Sequence, residues 1–184
     1  MALFDTHREV RDVLDGYHHL HGVSRYGAPG WVDALEVVGG DLVVGGSFDV
    51  AGILTLGPEP AAGFPAANVA VWRIGGAWQD VGGTDGRVQA LEGLADGTLA
   101  LAGWFATAGD AAAARVARYD PAARRWTALG SGLSDGERGG SWALALGQGP
   151  GGELWVGGEF PVAGGSPSAN LARWAPPAGG TPTG

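Results

Sequence analysis

The chain has 184 residues, about the length of one ordinary domain. Glycine occupies 36 positions, 45% of the residues are hydrophobic and 16% are charged, which excludes a charge-rich disordered segment. The formal net charge of -8 argues against nucleic acid or an anionic membrane surface as a partner, and the lack of cysteine excludes disulfides and thiolate zinc ligands.

Residues 1–30 form an N-terminal segment with two interpretations. A capping box at 6–9 and the apolar spacing after it predict a short amphipathic helix over 6–16. Alternatively, 2–5 and 17–20 resemble 117–120 and 126–129, two strands predicted further along, so the chain would begin inside an earlier repeat. We expect no signal peptide here, because no apolar core of the required length is present, and no membrane span anywhere in the chain.

Three repeated units follow the N-terminal segment. In each unit, two apolar segments separated by a turn are followed by a third segment, and in the first two units by a fourth. The third segments span 68–72, 115–119 and 170–174, and the fourth segments span 78–82 and 126–130. Each segment is short and bounded by Gly, Asp or Pro, which is typical of strands and turns.

Four short antiparallel strands at a period near fifty residues are typical of a β-propeller blade. The sequence therefore predicts an all-β fold, a partial β-propeller of about three four-stranded blades. The predicted blades span 31–87, 88–141 and 142–176, the third incomplete, and 177–184 is predicted to be a flexible tail. Three blades do not close an ordinary ring, so we expect a piece of a longer propeller, completion by another copy, or an open arc.

A glycine doublet, an aromatic residue and a later tryptophan occur in the first unit, and parts of this pattern recur in the other two. Gly45-Gly46 precedes Trp72, which is followed six positions later by Trp78. Gly157-Gly158 occupies the same place in the third unit. This pattern resembles the kelch repeat of galactose-oxidase-type propellers, found in bacterial surface or uncharacterised repeat proteins and in fungal cortical polarity markers. The resemblance implies a propeller fold, but the copper chemistry of galactose oxidase needs a cysteine that this chain lacks.

Candidate binding residues lie on or near the connections between predicted strands, where repeat proteins commonly carry recognition. The first connection between second and third strands is expanded and includes Phe64. Trp104 and several acidic residues complete the candidate ligand- or partner-binding set: Asp49, Phe64, Trp104, Asp110, Asp135, Glu137 and Glu159.

Two other motifs have plainer interpretations. Residues 147–152 match G-x-G-x-x-G, but a strand rather than a helix follows, so we predict a hairpin loop and no dinucleotide cofactor. His18, His19 and His21 cluster, and His19 and His21 could share a face and bind a metal weakly. A polar linker is the preferred interpretation, and we predict neither metal nor cofactor.

The sequence favours a non-catalytic propeller module that presents loops to a protein or glycan and is part of a larger propeller, with self-association as another way to complete the propeller. The alternative is part of a propeller hydrolase or lyase that uses acidic channel residues. A structural segment without a site of its own is a third hypothesis. The compartment stays open, and a cell-surface or extracellular location is expected if the chain is part of a longer protein.

Overall fold

The computed structural model describes residues 22–25, 28–53, 63–73, 78–135 and 140–175. Within these ranges the regular secondary structure is entirely β-strand, as the sequence predicted. No helix in the described ranges has the length and apolar character needed to cross a bilayer. The helix expected over 6–16 lies outside the described residues.

Sheet 1 is a four-stranded antiparallel meander built from the third, fourth, seventh and eighth strands. The strands of this region are β1 (Gly22–Arg25), β2 (Ala28–Pro29), β3 (Trp31–Val38), β4 (Asp41–Ser47), β5 (Val50–Ile53), β6 (Phe64–Pro65), β7 (Val69–Trp72) and β8 (Trp78–Gln79). β3, β4, β7 and β8 pair in that order, and β5 and β6 form a small hairpin between β4 and β7.

Sheets 2 and 3 repeat this arrangement. The strands of sheet 2 and its hairpin are β9 (Arg87–Gly93), β10 (Leu99–Trp104), β11 (Thr107–Ala108), β12 (Ala111–Ala112), β13 (Val116–Asp120) and β14 (Arg125–Ala128). The remaining strands are β15 (Leu133–Ser134), β16 (Trp142–Gln148), β17 (Leu154–Glu159), β18 (Val162–Ala163), β19 (Ser166–Pro167) and β20 (Leu171–Trp174). Sheet 2 has the order β14-β13-β10-β9, and the described part of sheet 3 has the order β16-β17-β20.

The loops between first and second strands are hairpins, as the sequence predicted. At Asp96-Gly97 the backbone turns with Gly97 at φ 79°, and the Leu94 N–H donates to the Thr98 carbonyl at 2.8 Å. The G-x-G-x-x-G stretch joins β16 to β17, where the Gly149 N–H donates to the Glu153 carbonyl at 2.8 Å.

The sheets pack face to face, with their first strands neighbouring each other: β3 contacts β9, and β9 contacts β16. One buried cluster fills the space between sheets 1 and 2 and includes Val43, Leu91 and Leu101. A second cluster, which includes Ala100 and Val156, fills the space between sheets 2 and 3. Successive four-stranded sheets packed in this way are the architecture of a partial β-propeller.

The connection into each sheet pairs with the hairpin that follows the second strand of that sheet. The equivalent backbone pairs are Val23 with Ala51, Thr84 with Ala108, and Leu133 with Ala163. The last two are reinforced by N–H donation from Gly109 to Gly83 at 2.8 Å and from Gly164 to Gly132 at 2.9 Å. Each hairpin is therefore held by main-chain bonds to the segment that leads into its own sheet, which for sheets 2 and 3 is the segment that leaves the preceding sheet.

A left-handed residue begins each third strand and ties the hairpin to its sheet. Asn68, Arg115 and Asn170 have φ of 63°, 69° and 65°. Asn68 is buried; its Oδ1 accepts from the Phe48 N–H at 3.2 Å, and its Nδ2 donates to the Thr84 carbonyl at 2.8 Å. One side chain thus joins the sheet 1 hairpin to the connection into sheet 2.

An arginine crosses from sheet 2 to sheet 3. The Arg118 guanidinium lies 6.0 Å from the ring centre of Trp174 and pairs with Asp96. Partial burial works against ionisation of Asp96, but hydrogen bonds from Thr98 and the Arg118 charge outweigh it and lower the pKa of this carboxyl below 3.8. The ionised form of Asp96 is therefore favoured in the folded protein.

Candidate functional site

The first strand of each sheet begins beside the end of the second strand. Three cross-strand pairs occupy this equivalent position: Trp31 with Ser47, Arg87 with Trp104, and Trp142 with Glu159. A β-bulge follows within each first–second strand pairing, and such bulges re-aim neighbouring side chains. The hairpins between second and third strands leave the sheets at this same end.

Side chains at these strand ends form a continuous row across the three sheets. Asp33 of sheet 1 accepts from Nε of Arg87 in sheet 2 at 2.7 Å. Trp104, the cross-strand partner of Arg87, contacts Trp142 of sheet 3 with ring centres 5.7 Å apart and planes at 47°. Glu159 pairs with Trp142. We call these five residues, from Asp33 to Glu159, the inner rim.

Large apolar surface is exposed at the inner rim. Trp104 is 55% exposed and Trp142 is 40% exposed, and Trp31, two residues before Asp33, is 65% exposed. Soluble proteins bury most tryptophan surface, so indoles clustered in solvent mark a binding surface more often than a packing surface.

The rim also carries fixed charge. The hydrogen bond to Asp33 raises the pKa of Arg87, with a smaller contribution from the Asp33 charge, and desolvation opposes the shift. The guanidinium and its carboxylate partner are held as a bidentate pair beside the indole surface. The arrangement therefore combines flat apolar faces with oriented hydrogen-bonding groups, which is the composition of a ligand site.

Two of the residues predicted from the sequence, Trp104 and Glu159, lie in this rim. Two others lie at the sheet 1 hairpin. The Asp49 carbonyl accepts from the Ala66 N–H at 2.9 Å, and Phe64, in β6, is 37% exposed. The structure thus divides the predicted set between the rim and the hairpins.

Asp110 and Asp135 lie elsewhere, and Glu137 lies outside the described residues. Asp110 is exposed at the turn between β11 and β12, in an outer groove of about 590 Å³ that it shares with Arg124 and Trp126. Asp135 Oδ2 accepts from the Gly140 N–H at 2.7 Å, which closes a loop. This bond gives Asp135 a structural role at the start of β16.

Metal ligands are not grouped in the described ranges, where no cluster of three His, Asp or Glu side chains occurs. The histidines at 18, 19 and 21 lie outside those ranges.

The described carboxylates also include Asp85, whose Oδ1 accepts from the Ala106 and Thr107 N–H groups at 2.8 Å each. This carboxylate fixes the turn that precedes the sheet 2 hairpin.

Sequence analysis missed three residues of the inner rim, Asp33, Arg87 and Trp142, and also the neighbouring exposed Trp31. The available signal was their common place in the repeat, since Trp31, Arg87 and Trp142 each start a first strand. The residues predicted from the sequence were chosen mainly on the connections between strands, whereas the inner rim is formed by the ends of strands.

Comparison with known proteins supports the propeller architecture. Residues 94–122, which include β10 and β13, match a family model described as "Domain of unknown function (DUF5122) beta-propeller". No curated protein matches the chain. The chain is thus similar to a β-propeller repeat over a short segment that spans the centre of sheet 2.

Proposed function

We propose that this chain is a non-catalytic β-propeller module that binds a glycan at the inner rim. The observation that carries the proposal is the exposed contact between Trp104 and Trp142, flanked by Arg87 and Glu159. A pyranose ring has a flat face of C–H groups that stacks on an indole, and its hydroxyls bond to carboxylates and guanidinium groups. The rim offers both kinds of contact side by side.

Charge distinguishes a glycan from other partners. A net charge of -8 repels nucleic acid and anionic lipid but imposes no penalty on a neutral sugar. A protein partner also fits exposed tryptophans. Glycan is the favoured class because Asp33 and Arg87 already hold each other in a fixed geometry, so little ordering is needed before they bond to sugar hydroxyls. Hydrolase or lyase chemistry stays a prediction, and its test is the effect of Asp135→Asn or Glu137→Gln on hydrolysis.

We further propose that the repeats are kelch-like, with boundaries near residues 87, 141 and 176. The support is the glycine of the hairpin that packs on the fourth-strand tryptophan. A Cβ at Gly52 would lie 2.7 Å from Cδ1 of Trp78, and one at Gly109 would lie 2.5 Å from Cδ1 of Trp126. The same contact therefore recurs in sheets 1 and 2, as a true repeat requires.

The test is binding of the purified chain to soluble β-glucan, xylan, mannan and galactan, followed by tryptophan fluorescence and calorimetry. We expect saturable binding of at least one polysaccharide. Trp104→Ala and Trp142→Ala should each weaken binding about tenfold or more, because each removes one stacking face.

Trp155→Ala is the matched control, since Trp155 is a tryptophan of similar exposure near the opposite end of β17 from Glu159. It should leave the affinity unchanged. Absence of binding to every polysaccharide, or equal loss in the control and in Trp104→Ala, would contradict the proposal.

A further inference from the structure

The interface between sheets 1 and 2 has a bulky residue pair seated on a glycine. A Cβ at Gly45 of sheet 1 would lie 2.7 Å from Cγ1 of Val88 and 3.3 Å from Cδ1 of Leu91. Val88 and Leu91, on the facing side of sheet 2, are buried by this contact. At this point of the interface, two aliphatic side chains therefore pack on a residue that has no side chain.

The same two parts occur, separated, at opposite ends of the chain. Val32 and Leu35 of sheet 1 are equivalent to Val88 and Leu91, but they are 46% and 60% exposed. Gly157 of sheet 3 is equivalent to Gly45, and among the described residues only the Ala145 side chain lies within 4 Å of a Cβ placed there. Sheet 1 thus has the bulky pair without its glycine, and sheet 3 has the glycine without its bulky pair.

Other positions of the two open faces are complementary in the same sense. Between sheets 1 and 2, Glu36 faces Gly93, with Oε1 3.3 Å from a Cβ placed at that glycine. Gly147 of sheet 3 is equivalent to Glu36, and Val37 of sheet 1 is equivalent to Gly93. On the open faces the glycine therefore lies on sheet 3 and the larger residue on sheet 1. A close approach of the two faces would therefore set a side chain against a glycine again.

Apolar exposure extends over the open face of sheet 3. Leu171 is exposed, and Trp155 lies on the same side of the sheet as Arg173, its cross-strand partner. Arg173 is equivalent to Arg118, whose guanidinium lies over Trp174 of the next sheet. The aromatic residue equivalent to Trp174 in sheet 1 is Trp72, on the open side of that sheet.

We propose that two copies of this chain associate head to tail, with Val32 and Leu35 of one copy seated on Gly157 of the other. The occupant is a second copy because the chain carries both halves of the contact, and both halves match an interface it already forms internally. Head-to-tail contacts of this kind use two different surfaces and close into a ring when the rotation allows. The three main sheets of the described residues, taken from two copies, make six, within the four to eight that close a propeller.

The experiment measures the mass of the 184-residue chain in solution by light scattering and sedimentation over a range of concentrations up to about 100 μM. We expect twice the mass of one chain. Leu35→Glu charges the bulky side, and Gly157→Val fills the opposite side. Each should raise the dissociation constant about a hundredfold or more and give a monomer. A wild-type chain that is monomeric throughout would overturn the proposal.

Mixing the two variants tests the head-to-tail geometry. The Leu35→Glu chain keeps an intact Gly157, and the Gly157→Val chain keeps an intact Leu35, so together they can make one good contact. An equimolar mixture should give a one-to-one heterodimer although each variant alone is monomeric. A mixture that stays monomeric, or a variant that alone still dimerises like the wild type, would overturn the proposal.

Near-UV circular dichroism of each variant confirms that its fold is retained, since both substitutions place new atoms in solvent-exposed space. If Gly157→Val loses that signal, Leu171→Glu serves in its place, because Leu171 is exposed on the same face. The same expectations then apply to its mixture with Leu35→Glu.

Discussion

Replacing Asn68 with alanine should destabilise the protein more than the same replacement at the equivalent residue of sheet 3, Asn170. Asn68 is buried at φ 63°, and its amide joins the Phe48 N–H of the sheet 1 hairpin to the Thr84 carbonyl of the next connection. Alanine removes both side-chain bonds, and it tolerates the left-handed region less well than asparagine, whose polar side chain can hydrogen-bond locally there. The substitution therefore has three separate costs in the free energy of folding.

The magnitude follows from these penalties. Losing the partner of a buried donor or acceptor costs about 1–3 kcal/mol per group. A Cβ in the left-handed region costs about 1 kcal/mol relative to glycine. We expect Asn68→Ala to lower the free energy of unfolding by about 3–5 kcal/mol, and Asn68→Gly by about 1 kcal/mol less, because glycine removes only the bonds.

Urea denaturation followed by tryptophan fluorescence measures these changes. Asn170→Ala is the matched control. Asn170 has nearly the same φ, and its Oδ1 accepts from the Phe160 N–H at 3.0 Å, but it is exposed and should cost about 1–2 kcal/mol. Equal losses at 68 and 170, or a loss below about 1 kcal/mol at Asn68, would refute the assignment of Asn68 as the link between sheets.

The remaining predictions concern packing and pH. Gly45→Val should cost about 1–3 kcal/mol in the free energy of unfolding, because its Cβ would lie 2.7 Å from a valine methyl of sheet 2. In monomeric protein, Gly157→Val should change the free energy of unfolding little. Thermal melts of the Gly45→Val and Gly157→Val variants test this difference. Trp126→Ala should cost about 3–5 kcal/mol, since this indole is buried between sheets; a melt within error of wild type would contradict that role. Because the pKa of Asp96 is lowered in the folded state, its stabilisation is present above about pH 4 and is lost as the pH falls through the folded value. Wild type should therefore lose more stability than Asp96→Asn between about pH 5 and about pH 3, and parallel curves would show that Asp96 contributes nothing.

The strands and their grouping into sheets were predictable because alternation and turn residues are local signals. Asp96-Gly97 requires a residue with positive φ at the second position, and the structure has it. The second strand of sheet 2 is apolar on both faces because sheets cover it from two sides, with Leu101 toward sheet 1 and Ala100 toward sheet 3. Such signals lie within ten residues of the feature that they predict.

The inner rim was predicted only in part because it depends on how neighbouring sheets are offset. Asp33 and Arg87 are separated by 54 residues in sequence and meet only when sheet 2 is placed on sheet 1. Trp104 and Trp142 come from different sheets, and the bulge at each strand start shifts the alternation that would have indicated where Trp142 points. Local periodicity contains no information about either effect.

The main-chain pairing between each connection and the next hairpin affects how this protein can be divided. A fragment cut at the boundary between sheets would keep its four strands but would lose the backbone partner of its hairpin. The segment that can fold on its own is therefore shifted relative to the sequence repeat. It must include the connection that follows the last strand of the preceding sheet. Truncations that respect this overlap, such as one that starts near residue 78 rather than 87, should retain cooperative unfolding where shorter ones do not.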